Sequence, residues 1–189
     1  MSAAIIHIGC FLSALVAADG GAPSNDRAKT PTRVALETAL AKGGSAGELQ
    51  RWAATADGIL LEVAADRAAS EMVRGRALAA LAYARTPRVH GFLENFIVEK
   101  TPSSTATDRA LVRRAAVALG WQGGPRVTEV IAPLLESADP EVRLDAAAAL
   151  GLGRAREAEA PLRARLAVET DAAVKRQLEA ALKAVTASR

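Results

Sequence analysis

Residues 139–166 read DPEVRLDAAAALGLGRAREAEAPLRARL. Asp139 suits the position just before a helix, Pro140 its first turn, and Glu141 the positive end of the helix dipole. Val142, Ala146, Ala149 and Leu150 follow at the spacing of one helical face. Gly151 and Gly153 then stop that helix, and Ala158 and Leu166 carry the apolar series into a second one. The stretch predicts a helix–turn–helix pair.

The same arrangement extends in both directions. Ser70, Asp108 and Asp171 stand three residues before Val73, Leu111 and Val174, as Asp139 does before Val142, and each predicts a helix start. From three of these anchors apolar residues recur every eight positions: Val73, Leu81, Val89, Ile97; Leu111, Leu119, Val127, Leu135; Val142, Leu150, Ala158, Leu166. Ala77, Ala115 and Ala146, with Ala80, Ala118 and Ala149, keep the shared face small enough for a neighbouring helix to approach closely. Thr86-Pro87 and Gly123-Gly124-Pro125 are the corresponding breaks. The repeat is 31 or 32 residues long, stretched to 38 in its first interval by KTPSSTA, Lys100–Ala106.

The unit at Asp139 resembles the HEAT-like repeats of the phycobilisome-lyase type, which run D-P-x-V-R-x-x-A-A-x-A-L-G, a turn, then A-x-x-P-x-L. The matching residues are Asp139, Pro140, Val142, Arg143, Ala146, Ala147, Ala149, Leu150, Gly151, Ala158, Pro161 and Leu162. The unit at Asp108 departs at the arginine position, which is Val112, with Arg113 one place along. The resemblance covers about residues 70–186 and implies an all-α fold, an α-solenoid (superhelix) of antiparallel helix pairs. It also implies a structural ladder in which an arginine after the anchor, here Arg74, Arg143 or Lys175, pairs with the turn aspartate of a neighbouring unit.

The expected organisation is a signal peptide at 1–18, a flexible leader at 19–30 and a repeat domain at 31–189. Within that domain 31–66 form irregular capping helices, 70–99, 108–136 and 139–167 the pairs, and 171–186 a closing helix. Thr30-Pro31 opens the first helix, Gly43-Gly44 closes it, and Ser45 with Glu48 is a capping box. Residues 3–18, AAIIHIGCFLSALVAA, are uncharged and end V-A-A before Asp19, which predicts export to the periplasm or outside the cell. No basic residue precedes them, so a buried helix, an uncleaved anchor and a lipid attached at Cys10 stay open, and with them a cytoplasmic or N-terminally anchored chain. The stretch is shorter than the ~20 residues of a spanning helix, so the mature chain has no stable membrane span. Abundant Ala and Arg point to a GC-rich bacterial genome.

Composition narrows the function. Half of the residues are hydrophobic but only 3% are aromatic, against a large aromatic-lined pocket. The net charge is +3 with both signs interspersed, against the dominant basic face of a nucleic-acid binder. One cysteine and two histidines leave no disulfide within the chain and no zinc site of three or four Cys or His ligands. No phosphate-binding glycine loop occurs, and no nucleophile stands beside a base, so catalytic residues, cofactors and metals are all expected to be none. His90, and the acids Glu157, Glu159, Glu169 and Asp171, are expected on a solvated surface.

The expectation is therefore a non-catalytic protein-interaction or scaffold module with a protein partner. An auxiliary subunit of a lyase-type enzyme and a nucleic-acid-binding HEAT-like protein are the alternatives. Second helices line the inner surface of such stacks, which makes Arg88, His90, Glu94, Asn95, Thr128, Glu129, Arg163 and Arg165 the candidate partner-binding surface. Arg154, Arg156, Arg163 and Arg165 form a basic group suited to an acidic partner, with Arg163 pairing to Glu159. Tyr83 and Trp121 are expected to plug the turns between helices.

Overall fold

Thr32 accepts a hydrogen bond from the Ala35 amide and opens α1 (Arg33–Lys42), which Gly43 closes at φ 88°. The computed structural model describes residues 30–103 and 105–187. The expected signal peptide 1–18, with His7 and Cys10, and leader residues 19–29 lie outside the described residues. Ser45 and Glu48 form the reciprocal capping box that starts α2 (Ala46–Thr55), and α3 (Asp57–Ala65) buries Leu60, Leu61, Val63 and Ala64.

Helix pairs follow. α4 (Glu71–Leu81) is joined to α5 (Pro87–Lys100), and α6 (Ala106–Gln122) to α7 (Val127–Ile131). α8 (Pro140–Gly153) is joined to α9 (Glu159–Val168), and α10 (Ala172–Thr186) follows. Among the described residues there is no strand. The first helices α4, α6, α8 and α10 pack side by side in chain order. α5, α7 and α9 form a second layer, each lying against the first helix of the next unit, as α3 lies against α4. This is an all-α solenoid.

The apolar series explain the stacking. Val73, Leu81, Val89, Ile97, Leu111, Leu119, Val127, Leu135, Val142, Leu150 and Ala158 are all buried, and Leu166 is half-buried. Each fully buried leucine contributes about 1.5–3 kcal/mol relative to exposure. On α10, Val174, Leu178, Ala181, Leu182 and Val185 face the stack, while Lys175, Arg176, Glu179 and Lys183 are exposed. The outer face of α10 is thus polar, whereas the inner faces of the units are apolar and buried against their neighbours. Asp171 caps α10 through the amides of Ala173 and Val174. Asp171→Ala therefore costs about 1 kcal/mol, to be seen as faster amide exchange confined to the first turn of α10; unchanged exchange there would contradict the cap.

Several starts and stops differ from expectation. Asp108 is not an N-cap: Thr105 is, because α6 begins at Ala106. Asp108 sits in the first turn instead, bonded by Ser103 Oγ at 2.7 Å and facing Lys100 at 3.4 Å. The Ser103 hydroxyl, first among these contacts, holds its carboxyl below the usual range. Thr86-Pro87 does not end α4, which stops at Leu81, but caps and opens α5. Gly151 is buried inside α8, and Arg154 takes the left-handed closing conformation at φ 50°. The second helix at 127–136 is not continuous: Pro133 has no amide to donate, and the chain passes into a 3-10 turn over Ala132–Glu136.

Candidate interaction surface

The second layer carries the eight candidate residues, and the structure divides them. Thr86 caps α5 and Pro87 occupies its first turn, which places His90 one turn in, against the end of α6. His90 is half-buried, not solvated: its Nδ1 lies 3.1 Å from Gln122 Oε1. Gln122 Nε2 donates to the carbonyls of Leu81 and Ala84 at 2.8 and 3.2 Å, so its oxygen faces the ring and Nδ1 is the donor. Glu94, expected to be exposed, is buried at 7% exposure. It is four residues beyond His90, so its side chain points the same way along α5, where Arg126 Nη1 reaches it at 2.9 Å. His90 Nε2 stands 3.5 Å from the same carboxylate.

Arg126 also contacts the exposed Glu129 at 3.3 Å, so one guanidinium links α5 to α7 across the repeat boundary. Thr128 is half-buried, and its hydroxyl is buried with no partner. Arg88, Asn95 and Glu129 project into solvent. On α5 and the start of α7, His90 and Glu94 are therefore structural supports, while Arg88, Asn95 and Glu129 are exposed, Arg88 reaching toward Gly58 of α3 and Glu129 tied to Arg126.

Arg163 and Arg165 belong to a separate region on α9. Arg163 bonds Glu159 at 2.9 Å, as its four-residue spacing predicts, and is exposed. Arg165 is turned inward: it donates to Glu169 at 3.0 Å and approaches Glu136 at 3.5 Å. Glu169, expected on a solvated surface, is fully buried in its side chain. Arg143 holds it through Nε and Nη2 at 2.8 and 2.9 Å, and the amides of Thr170 and Asp171 donate to it at 3.0 and 2.9 Å. The Arg143 guanidinium, ahead of these amides and Arg165, holds the Glu169 carboxyl far below the usual carboxylate range.

The expected arginine–aspartate ladder is thus realised with different partners. Arg143 pairs with Glu169, two residues before Asp171, whose own carboxylate is engaged in capping α10. Arg74, also buried, donates to the Ala64 carbonyl at 3.1 Å, and Lys175 is exposed. Between α6 and α8 the links are Arg109 to Asp139 at 3.1 Å and Arg113 to Glu141 and to Asp145, the last at 2.7 Å. Burial pushes the Asp145 carboxyl up even with Arg113 beside it.

Two grooves lie elsewhere. One of about 660 Å³ is lined by the 100–103 segment, Arg109, Glu136 and Asp139. Another, of about 500 Å³, lies at the ends of α6 and α8 beside α10. Neither contains any of the eight candidates, since flat second-helix surfaces are read from spacing but concavities arise between elements. Tyr83 and Trp121 pack edge to face at 6.4 Å and 71°, joining two successive turns. Among the described residues no three His, Cys, Asp or Glu side chains converge as a metal site, and no helix is long and apolar enough to cross a membrane.

Residues 103–183 match the family model of HEAT repeats. No curated protein matches the chain. The match identifies the repeat and does not extend to its phycobilisome-lyase type. It covers α6, α8 and most of α10, which pack side by side. Over residues 103–183 the stack is thus built of HEAT-like repeats.

Proposed function

We propose that the protein is an exported, non-catalytic interaction module that holds a protein partner on the second-layer surface. The observation that carries this is the exposed second-layer face of α5 and α7. Arg88, Asn95 and Glu129 stand exposed there on a base locked by the His90–Gln122 and Glu94–Arg126 links. A surface preorganised in this way loses less side-chain entropy on association. HEAT repeats generally serve as scaffolds, which supports the same reading. The neutral apolar stretch 3–18 supports export.

The test is affinity capture with the full chain, tagged at its C-terminus, and mass spectrometry of retained proteins. The expected result is a reproducible partner lost on Glu129→Arg or Arg163→Glu, both exposed and outside the core. Retention unaffected by both changes, or no partner at all, would overturn the surface assignment. N-terminal sequencing of the extracytoplasmic product checks export: a start near Asp19 is expected, and a product beginning at Met1 contradicts it.

A further inference from the structure

Sequence spacing groups Arg154 with Arg156, Arg163 and Arg165, but the fold separates them. Arg163 and Arg165 are taken by Glu159, Glu169 and Glu136. Arg154 is carried to the opposite layer, onto the rim of the 500 Å³ groove, where Arg85 from the turn after α4 stands on the same rim. Both are exposed, and among the described residues neither makes an ion pair or side-chain hydrogen bond. No carboxylate lines the groove. Its lining is otherwise largely apolar, with Ala148 and Ala181 buried and Trp121 half-buried, the last packed at 71° against Tyr83.

We propose that this groove binds a short, extended acidic peptide segment that carries aromatic side chains. The aromatic group lies on Trp121 and the apolar lining, and flanking carboxylates accept from Arg85 and Arg154, while Gln177 on the wall offers an amide to the peptide backbone. The charge balance favours this. The carbonyl ends of α6 and α8 border the groove, each worth about half a negative charge, and the two guanidiniums contribute a whole positive charge each, so the rim stays positive. A volume near 500 Å³ lies within the roughly 300–1,000 Å³ of ordinary ligand pockets, enough for a few side chains. Two arginines are too few for a nucleic-acid face, whose affinity comes from many phosphate contacts.

The inference goes beyond the scaffold reading and names a second surface, on the other layer. The probe is the blocked peptide Glu-Phe-Glu-Phe-Glu, titrated into the full chain by calorimetry at low and at moderate salt. Peptides with Ser or Lys replacing Glu serve as controls. Arg154→Gly is the informative variant, because glycine adopts φ 50° without strain and the thermal midpoint should hold or rise. The expected result is binding of the glutamate peptide alone, roughly tenfold weaker in Arg154→Gly and in Arg85→Ser, and absent in the double variant.

Equal affinity for all three peptides, or affinity indifferent to both arginines, overturns the proposal. So does tighter, arginine-dependent retention of an oligodeoxythymidine, which would assign the groove to nucleic acid. A partner captured through Glu129 and Arg163, with no peptide bound in the groove, removes this inference and leaves the scaffold reading standing.

Discussion

Glu169→Ala lowers the stability of the array by about 3–5 kcal/mol, the cost of leaving a buried guanidinium without its counter-charge. Against a typical total of about 5–15 kcal/mol, that is a large share from one surface-like residue. The reason is geometric. Glu169 fixes Arg143 of α8, Arg165 of α9 and two amides leading into α10, so three helices lose a common tie at once. Replacing the pair together, as Arg143→Met with Glu169→Leu, removes both charges and is expected to cost much less than either single change.

The same contact sets an acid dependence. The folded Glu169 carboxyl titrates below its unfolded value of about 4.3, so its contribution is complete above that value and is lost as pH falls toward the folded one. Relative to Glu169→Gln, the advantage of the natural chain shrinks by about 1.4 kcal/mol for each pH unit below the unfolded value. Urea denaturation of both proteins at pH 7 and pH 3 reads this directly. A gap that stays constant between the two would show that Glu169 is not held by charge.

Gly120→Ala is the second large effect. A Cβ at Gly120 would stand 2.8 Å from Ala149 Cα and closer still to the Ala149 carbonyl, which is backbone and cannot rotate away. α6 and α8 must then move apart, and overpacking of this kind costs about 1–3 kcal/mol or more. Alanine's better helix propensity offsets at most about 1 kcal/mol of it. Gly91, inside α5 with open space for 4 Å around the place a Cβ would take, is the control: Gly91→Ala gains up to about 1 kcal/mol. Opposite shifts of the urea midpoint are expected for the two variants. A Gly120→Ala protein as stable as the natural one would show that the helices are not in closest contact there.

Gly151 has the corresponding place one unit on, 3.0 Å in the same sense from Ala181 Cα. In the one-dimensional pattern Gly151 reads as a helix stop, because glycine usually marks a helix end, while nothing marks out Gly120. Only the packed structure reveals them as contact points between successive first helices. Asp108 illustrates the same ambiguity. An acid three residues before an aliphatic anchor fits a cap or a first-turn residue equally well, and the extra turn starting at Thr105 decides for the latter. Glu169 was hidden for a related reason, since its neighbours Thr170 and Asp171 read as turn and cap, and burial of a charge depends on an arginine 26 residues away.

What the chain's sequence determines by itself is the repeat. Local capping and the eight-residue apolar series specify helix pairs, their all-α class and the face each buries, because these depend on contacts a few residues apart and on a pattern that recurs. Which charges become neighbours across different helices was decided only by the tertiary structure. The repeat boundary brings residues about 30 positions apart into contact, and Arg143 takes Glu169 while Asp171 caps α10. The same stacking buries Glu94, turns Arg165 inward, and sets Arg85, Arg154 and Trp121 along one groove. Periodicity assigns residues to a face. The angle and offset at which one helix settles on the next assign them to partners.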